Sequence, residues 1–185
     1  GRRLMDLLIK NADVVIPDED SPRSLDVRVS DGTIAECAPD LEGRSDEETV
    51  DARGKVLLPA LYDLHVHLRE PGREDTETIA TGSDAAVNGG VTGVLAMPNT
   101  DPAVDSGSMV DFIRDIAEDD ADIDVRTAGC ITKGREGEEL AEIGDMKEKG
   151  APMITDDGDP VADARVMRRA MEYAKNFDLI VADHC

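Results

Sequence analysis

Leu58-Pro59-Ala60-Leu61-Tyr62-Asp63-Leu64-His65-Val66-His67-Leu68-Arg69-Glu70-Pro71-Gly72 is the stretch on which the reading of this 185-residue chain turns. Its apolar run is short and bounded by Pro59 on one side and Pro71-Gly72 on the other, which predicts a strand over 61–66. Side chains along a strand alternate between faces, so His65 and His67 share one. Two imidazoles placed that way at a strand end can chelate one cation.

Downstream, apolar strands alternate with amphipathic helices. Strands are predicted over 61–66, 91–97, 124–131, 152–155 and 179–182, and helices over 77–88, 108–118, 138–149 and 162–176. Gly89-Gly90, Gly150 and Pro160 punctuate them. This is the pattern of βα units and a parallel sheet, which must be covered on both faces or closed into a barrel. The predicted class is therefore α/β, and the sequence ends soon after the fifth strand.

Upstream, residues 1–59 read as short antiparallel strands of a small β-sandwich portion. Leu7-Leu8-Ile9 and Val14-Val15-Ile16 flank a turn-prone Asn11-Ala12-Asp13. The alternating Leu25-Asp26-Val27-Arg28-Val29 meets Asp31-Gly32, a hairpin signal, and a last strand runs over 55–58. The shift in pattern near Ala60 sets the expected domains at 1–59 and 60–185.

The formal net charge of −22, from 20 Lys+Arg against 42 Asp+Glu, argues against nucleic acid or anionic membrane as partner, because phosphate would be repelled. Acidic residues cluster in surface-like runs such as Pro17-Asp18-Glu19-Asp20 and Glu118-Asp119-Asp120, and Arg outnumbers Lys. Apolar periodicity excludes a disordered acidic chain; the expectation is a folded, halophilic protein whose surface is screened by a salt-rich cytoplasm. No apolar run approaches a membrane span. No secretory leader is visible, and Met5 reads as the natural start, with residues 1–4 preceding it. Cys37, Cys130 and Cys185 fit neither a disulfide framework nor a CxxC knuckle and read as free thiols.

The third histidine, His184, also follows a predicted strand, as does Asp156-Asp157-Gly158. Sites in (β/α)8 barrels lie at the carboxyl ends of strands, so these residues would meet at one mouth. Imidazole and carboxylate together suit Zn²⁺, Co²⁺ or Mn²⁺. Arg69, two residues beyond His67, is a local cation in an acidic chain, and its fork could bind a carboxylate.

These motifs, with Gly89-Gly90-Val91-Thr92, Ala96-Met97-Pro98-Asn99-Thr100, Thr155-Asp156-Asp157-Gly158 and Ala182-Asp183-His184-Cys185, closely resemble the dihydroorotase family of the amidohydrolase superfamily, in order and over nearly the whole chain. The resemblance implies the first part of a (β/α)8 barrel of the metal-dependent hydrolase type. It implies a binuclear zinc site with His65 and His67 on one ion, Asp157 bridging and His184 on the second. It also implies reversible hydrolysis of dihydroorotate to N-carbamoyl-L-aspartate in de novo pyrimidine biosynthesis. His67, Arg69 and Asn99 are the substrate-contacting positions so implied. The general acid/base Asp and one further His ligand are expected beyond residue 185, so this stretch alone is expected to be inactive.

Three positions depart from the family pattern. Ala60 stands where the family usually has Gly, Asp183 precedes His184, and no Lys occupies the fourth strand, which leaves the bridging role to Asp157. The expected partner is a small anion, in a homodimer or beside a transcarbamoylase. Allantoinase- and hydantoinase-type hydrolases share the scaffold, but neutral hydantoin rings offer nothing to Arg69. A non-catalytic scaffold subunit would not need the metal donors. A flavodoxin-like binding domain would need a Gly-rich phosphate loop, which Arg69-Glu70-Pro71-Gly72-Arg73 is not.

Overall fold

The computed structural model describes residues 6–184; Met5 and Cys185 lie outside them. The described residues form two compact units, one up to Pro59 and one from Ala60.

The first unit is a single five-stranded sheet. Strands β1 (Leu7–Val14), β2 (Arg23–Ser30), β3 (Thr33–Ala38) and β4 (Glu48–Asp51) lie in the order β3-β2-β1-β4, and β5 (Val56–Leu57) also pairs with β1. The β2–β3 hairpin turns at Asp31 and Gly32, both at positive φ. Two expectations are corrected here. The sheet is mixed, not antiparallel throughout, because β4 and β5 run parallel to β1. Asn11-Ala12-Asp13 makes no turn: β1 continues through it with a bulge between Ile9 and Ala12. Asn11 takes φ 61°, its backbone N–H donates to Asp26 Oδ1 at 2.7 Å, and its side chain donates to Asp51 Oδ1 at 2.9 Å. Those tertiary bonds hold the extra residue inside the strand. β4 escaped the sequence reading because all four of its residues are exposed, which leaves no apolar alternation to see.

In the second unit five parallel strands form an arc. Strands β6 (Leu61–Val66), β7 (Val91–Ala96) and β8 (Asp124–Thr127) are laddered in that order, and β9 (Met153–Ile154) pairs with β10 (Ile180–Val181). A parallel bridge from Gly129 to Ile154 joins the two sets. Helices α1 (Ile79–Asn88), α2 (Gly107–Asp120), α3 (Ile143–Glu148) and α4 (Ala164–Ala174) follow the first four of these strands. The alternation along β7 shows the layering. Val94 and Ala96 face a core shared with Ile79, Val110, Ile113, Met146 and Ala170, whereas Leu95 and Met97 join Ala128 and Met153 on the opposite face.

Helix starts follow local chemistry. Thr78 and Thr81 form a reciprocal capping box on α1, and Asp163 caps α4 through the Arg165 amide. For α2, Asp145 of α3 accepts from Gly107 N at 2.9 Å, so a neighbouring helix supplies the cap. The third helix is shorter than predicted and starts at Ile143. Residues before it are drawn onto the loop after β8, with Ala141 N donating to Ile131 O and Lys133 N to Glu139 O; a helix there would forfeit those bonds.

Candidate metal centre at the carboxyl rim of the arc

The loops at the carboxyl ends of the strands are tied to one another. Met97 N donates to Val66 O at 2.8 Å, Asp101 N to Pro71 O at 3.0 Å, and Cys130 N to Val104 O at 2.7 Å. Gly72, at φ +101°, lets the first loop approach the second, since a Cβ there would lie 2.2 Å from Asp101 O.

On this rim the structure gathers His65, His67 and Asp157, whose ligand atoms all lie within 4.8 Å of one another. His65 Nε2 is 3.3 Å from Asp157 Oδ1, and His67 Nε2 is 3.6 Å from Oδ2. The period-2 placement of the two imidazoles puts their ring centroids 5.2 Å apart. His184, on the segment after β10, brings Nε2 to 3.9 Å from Asp157 Oδ1 and stands at the edge of this group.

Asp157 occupies the second place of a four-residue turn closed by Asp159 N donating to Asp156 O at 2.9 Å, with Gly158 third at φ +85°. The two neighbouring carboxylates have separate tasks. Asp156 turns away from the histidines and accepts from Ile131 N at 2.7 Å, Thr132 N at 3.1 Å and the Thr132 hydroxyl. Burial pushes its carboxyl above the usual range against the pull of those donors.

Asn99 spans the site. Its Nδ2 donates to Asp157 Oδ2 at 3.2 Å, and its Oδ1 faces His67 Nδ1 at 3.0 Å. A carboxylate only accepts, so the amide nitrogen belongs on that side and the amide oxygen faces the ring. His67 Nδ1–H therefore donates to Asn99 Oδ1, and that bond turns Nε2 toward the centre. Asp63 makes no such bond to a ring; its Oδ1 accepts from the His65 backbone N–H at 3.1 Å.

The donor set fits a cation. Asp157 is only 4% exposed in its side chain, and its neighbours are imidazoles and an amide; no Lys or Arg ion pair reaches it among the described residues. A buried carboxylate without a cation is costly, and two or three imidazole nitrogens around it are the usual company of a divalent transition metal.

Arg69 lies two residues beyond His67 at φ 62° and is half-buried. Its acidic neighbours are engaged elsewhere: Glu70 accepts from Ile79 N at 2.8 Å and Glu74 from Gly72 N at 2.8 Å. Among the described residues no ion pair to Arg69 is formed. The sequence reading missed the loop supports, Asp156 with Thr132 and Arg135 with Asp159, because nothing in their spacing announces a contact between separate loops.

An arc of parallel βα units with imidazoles and a carboxylate gathered at its carboxyl rim defines the class, a partial (β/α)8 barrel of the metal-dependent amidohydrolase type. The solved structures agree on the fold. L-Hydantoinase (dihydropyrimidinase) from Arthrobacter aurescens superposes with TM-score 0.84 at 21% identity, over 98% of this chain and 41% of that one. D-Hydantoinase from Thermus sp. gives 0.74 at 27% identity, over 97% and 40%. The sequence model of the Dihydro-orotase-like family matches residues 54–185, and the chain belongs to that family. It is 48% identical to dihydroorotase of Solibacter usitatus over 98% of this chain, and 44% identical to that of Citrifermentans bemidjiense over 97%. The chain spans 42% of the length of each of these two relatives.

Proposed function

We propose that the protein containing this chain is a zinc-dependent dihydroorotase, interconverting dihydroorotate and N-carbamoyl-L-aspartate in pyrimidine biosynthesis, with two ions at the rim. The observation that carries the choice of substrate is Arg69, a half-buried arginine two residues beyond His67 on the loop after β6, whose neighbouring carboxylates Glu70 and Glu74 accept from backbone amides. Dihydroorotate carries a carboxylate that such a fork can bind in bidentate fashion; a neutral hydantoin ring does not.

His65, His67 and Asp157 would hold the metal, with His184 adding a donor. Bound zinc would polarise the ring amide carbonyl and lower the pKa of water toward neutrality. Asn99 would orient the His67 ring and hold Asp157 in place through its two hydrogen bonds. No residue of this chain is assigned the proton transfer to the leaving nitrogen. The same reading makes the small anion the partner, in a homodimer or beside a transcarbamoylase, within a salt-rich cytoplasm. In the described residues no helix is long and apolar enough to cross a membrane.

The test is turnover of dihydroorotate by the full-length protein, with bound metal measured, for wild type and Arg69→Ala. Metal retained with turnover lost in the variant supports the reading. Undiminished turnover would dismiss Arg69 as the carboxylate ligand, and absence of turnover by the wild type would move the substrate to another cyclic amide or the protein to a scaffold role.

A further inference from the structure

Asp157 is held from both sides by contacts with the loop after β8. On one side Asp156 reaches into that loop and takes its Ile131 and Thr132 amides and the Thr132 hydroxyl; Thr132 Oγ1 in turn accepts from Gly137 N at 2.9 Å. On the other side Arg135 reaches back from the same loop and pairs with Asp159 through Nη2. Its guanidinium lies over the turn, because a Cβ at Gly158 would be 3.7 Å from Arg135 Nη2 and 4.0 Å from Asn99 Nδ2.

The backbone that presents Arg135 is unusual and well supported. Gly134 and Arg135 both take left-handed φ, 57° and 62°. Gly134 N is bound by Asp105 Oδ2 at 2.9 Å and Arg135 N by Thr132 O at 3.1 Å. A non-glycine residue adopts that conformation only when its surroundings hold it there. The Arg135 side chain is 18% exposed, while its partner Asp159 is 67% exposed, so the arginine is the fixed member of the pair.

We infer that Arg135 is a positioning residue: with Asp156 it clamps the loop after β8 to the 156–159 turn from both directions and so aims the Asp157 carboxylate at His65 and His67. The inference rests on Asp157 being a metal donor. It assigns to an arginine outside the donor set a share of the cation affinity, by preorganising a carboxylate that would otherwise have to be ordered when the ion binds.

The test uses the full-length protein with Zn²⁺ as probe, its affinity measured by competition with a chelating dye, for wild type, Arg135→Gln, Asp159→Ala and the double variant. Asp159 is exposed enough that its alanine variant keeps the fold even if Arg135→Gln does not. Each single change is expected to weaken Zn²⁺ binding roughly ten-fold, and the double variant no more than either single, because one contact is removed in all three. A loss of fold alone would lower the unfolding midpoint without that non-additivity. Unchanged Zn²⁺ affinity in Asp159→Ala, or losses that add, would overturn the role of Arg135. A wild type that binds no Zn²⁺ would remove the metal-site assignment and the inference with it.

Discussion

Asn99 Oδ1 lies 3.0 Å from His67 Nδ1 while its Nδ2 donates to Asp157 Oδ2 at 3.2 Å, so one amide from the loop after β7 orients donors from the loops after β6 and β9. Asn99→Ala removes both bonds and frees the His67 ring to rotate. Cation affinity of the full-length protein should fall by roughly 10- to 100-fold, measured by chelator competition. An unchanged affinity would mean that packing alone holds the ring.

Gly72 carries the close approach of the Arg69-bearing loop to Asp101. Its φ of +101° and the 2.2 Å contact of an added Cβ with Asp101 O make Gly72→Ala strained and sterically blocked. A loss of about 1–3 kcal/mol is expected in denaturant unfolding, and the proposed function adds a raised KM for dihydroorotate, because Arg69 would shift. Wild-type stability in this variant would show that the two loops are free to separate.

The cysteines should differ in reactivity. Cys37 is exposed, whereas Cys130 is fully buried, and burial, helped by the nearby Asp156 and Asp105 carboxylates, pushes its thiol far above the ordinary range. Mass-spectrometric mapping after brief alkylation of the native protein should find Cys37 modified and Cys130 intact until denaturant is added. Early labelling of Cys130 would reveal opening of the core beneath Pro98.

At the start of α4, Arg165 holds the Asp163 carboxyl down to about 2 from an ordinary 3.8, first through its side chain and then through its backbone N–H. A lowered folded-state value means that the cap stabilises above the unfolded pKa and is lost as pH falls. Asp163→Ala should therefore unfold at lower temperature than wild type at about pH 5 to 7, where the carboxylate is ionised in both folded and unfolded states. The gap should close as pH drops from 3.8 to about 2. A gap that persists at the acid end would place the effect elsewhere than the carboxylate.

A net charge of −22 repels itself in dilute buffer. Raising KCl from about 0.1 M to about 1 M shortens the screening length from about 10 Å to about 3 Å and should raise the unfolding midpoint of the full-length protein. A midpoint indifferent to salt would count against a halophilic origin.

Much of this protein was legible in its sequence. Period-2 alternation around His65 and His67 put both imidazoles on one face, and the switch from short strands to βα units located the change at Ala60. These features depend on neighbours a few residues apart, where backbone geometry alone fixes which side chains point together. Asp31-Gly32 gave the hairpin for the same reason.

Other features were decided only when the chain closed on itself. Asn11 becomes a bulge because Asp26 and Asp51, from two other strands, hold its backbone and side chain. The third helix starts late because the loop after β8 claims the residues before it. Asp156 and Asp157 are identical in type and adjacent, and only the turn at Gly158 and the donors of Ile131 and Thr132 send one toward support and the other toward the histidines. Contacts between loops far apart in sequence carry no local signature, since each depends on where a strand ladder has already placed its partner.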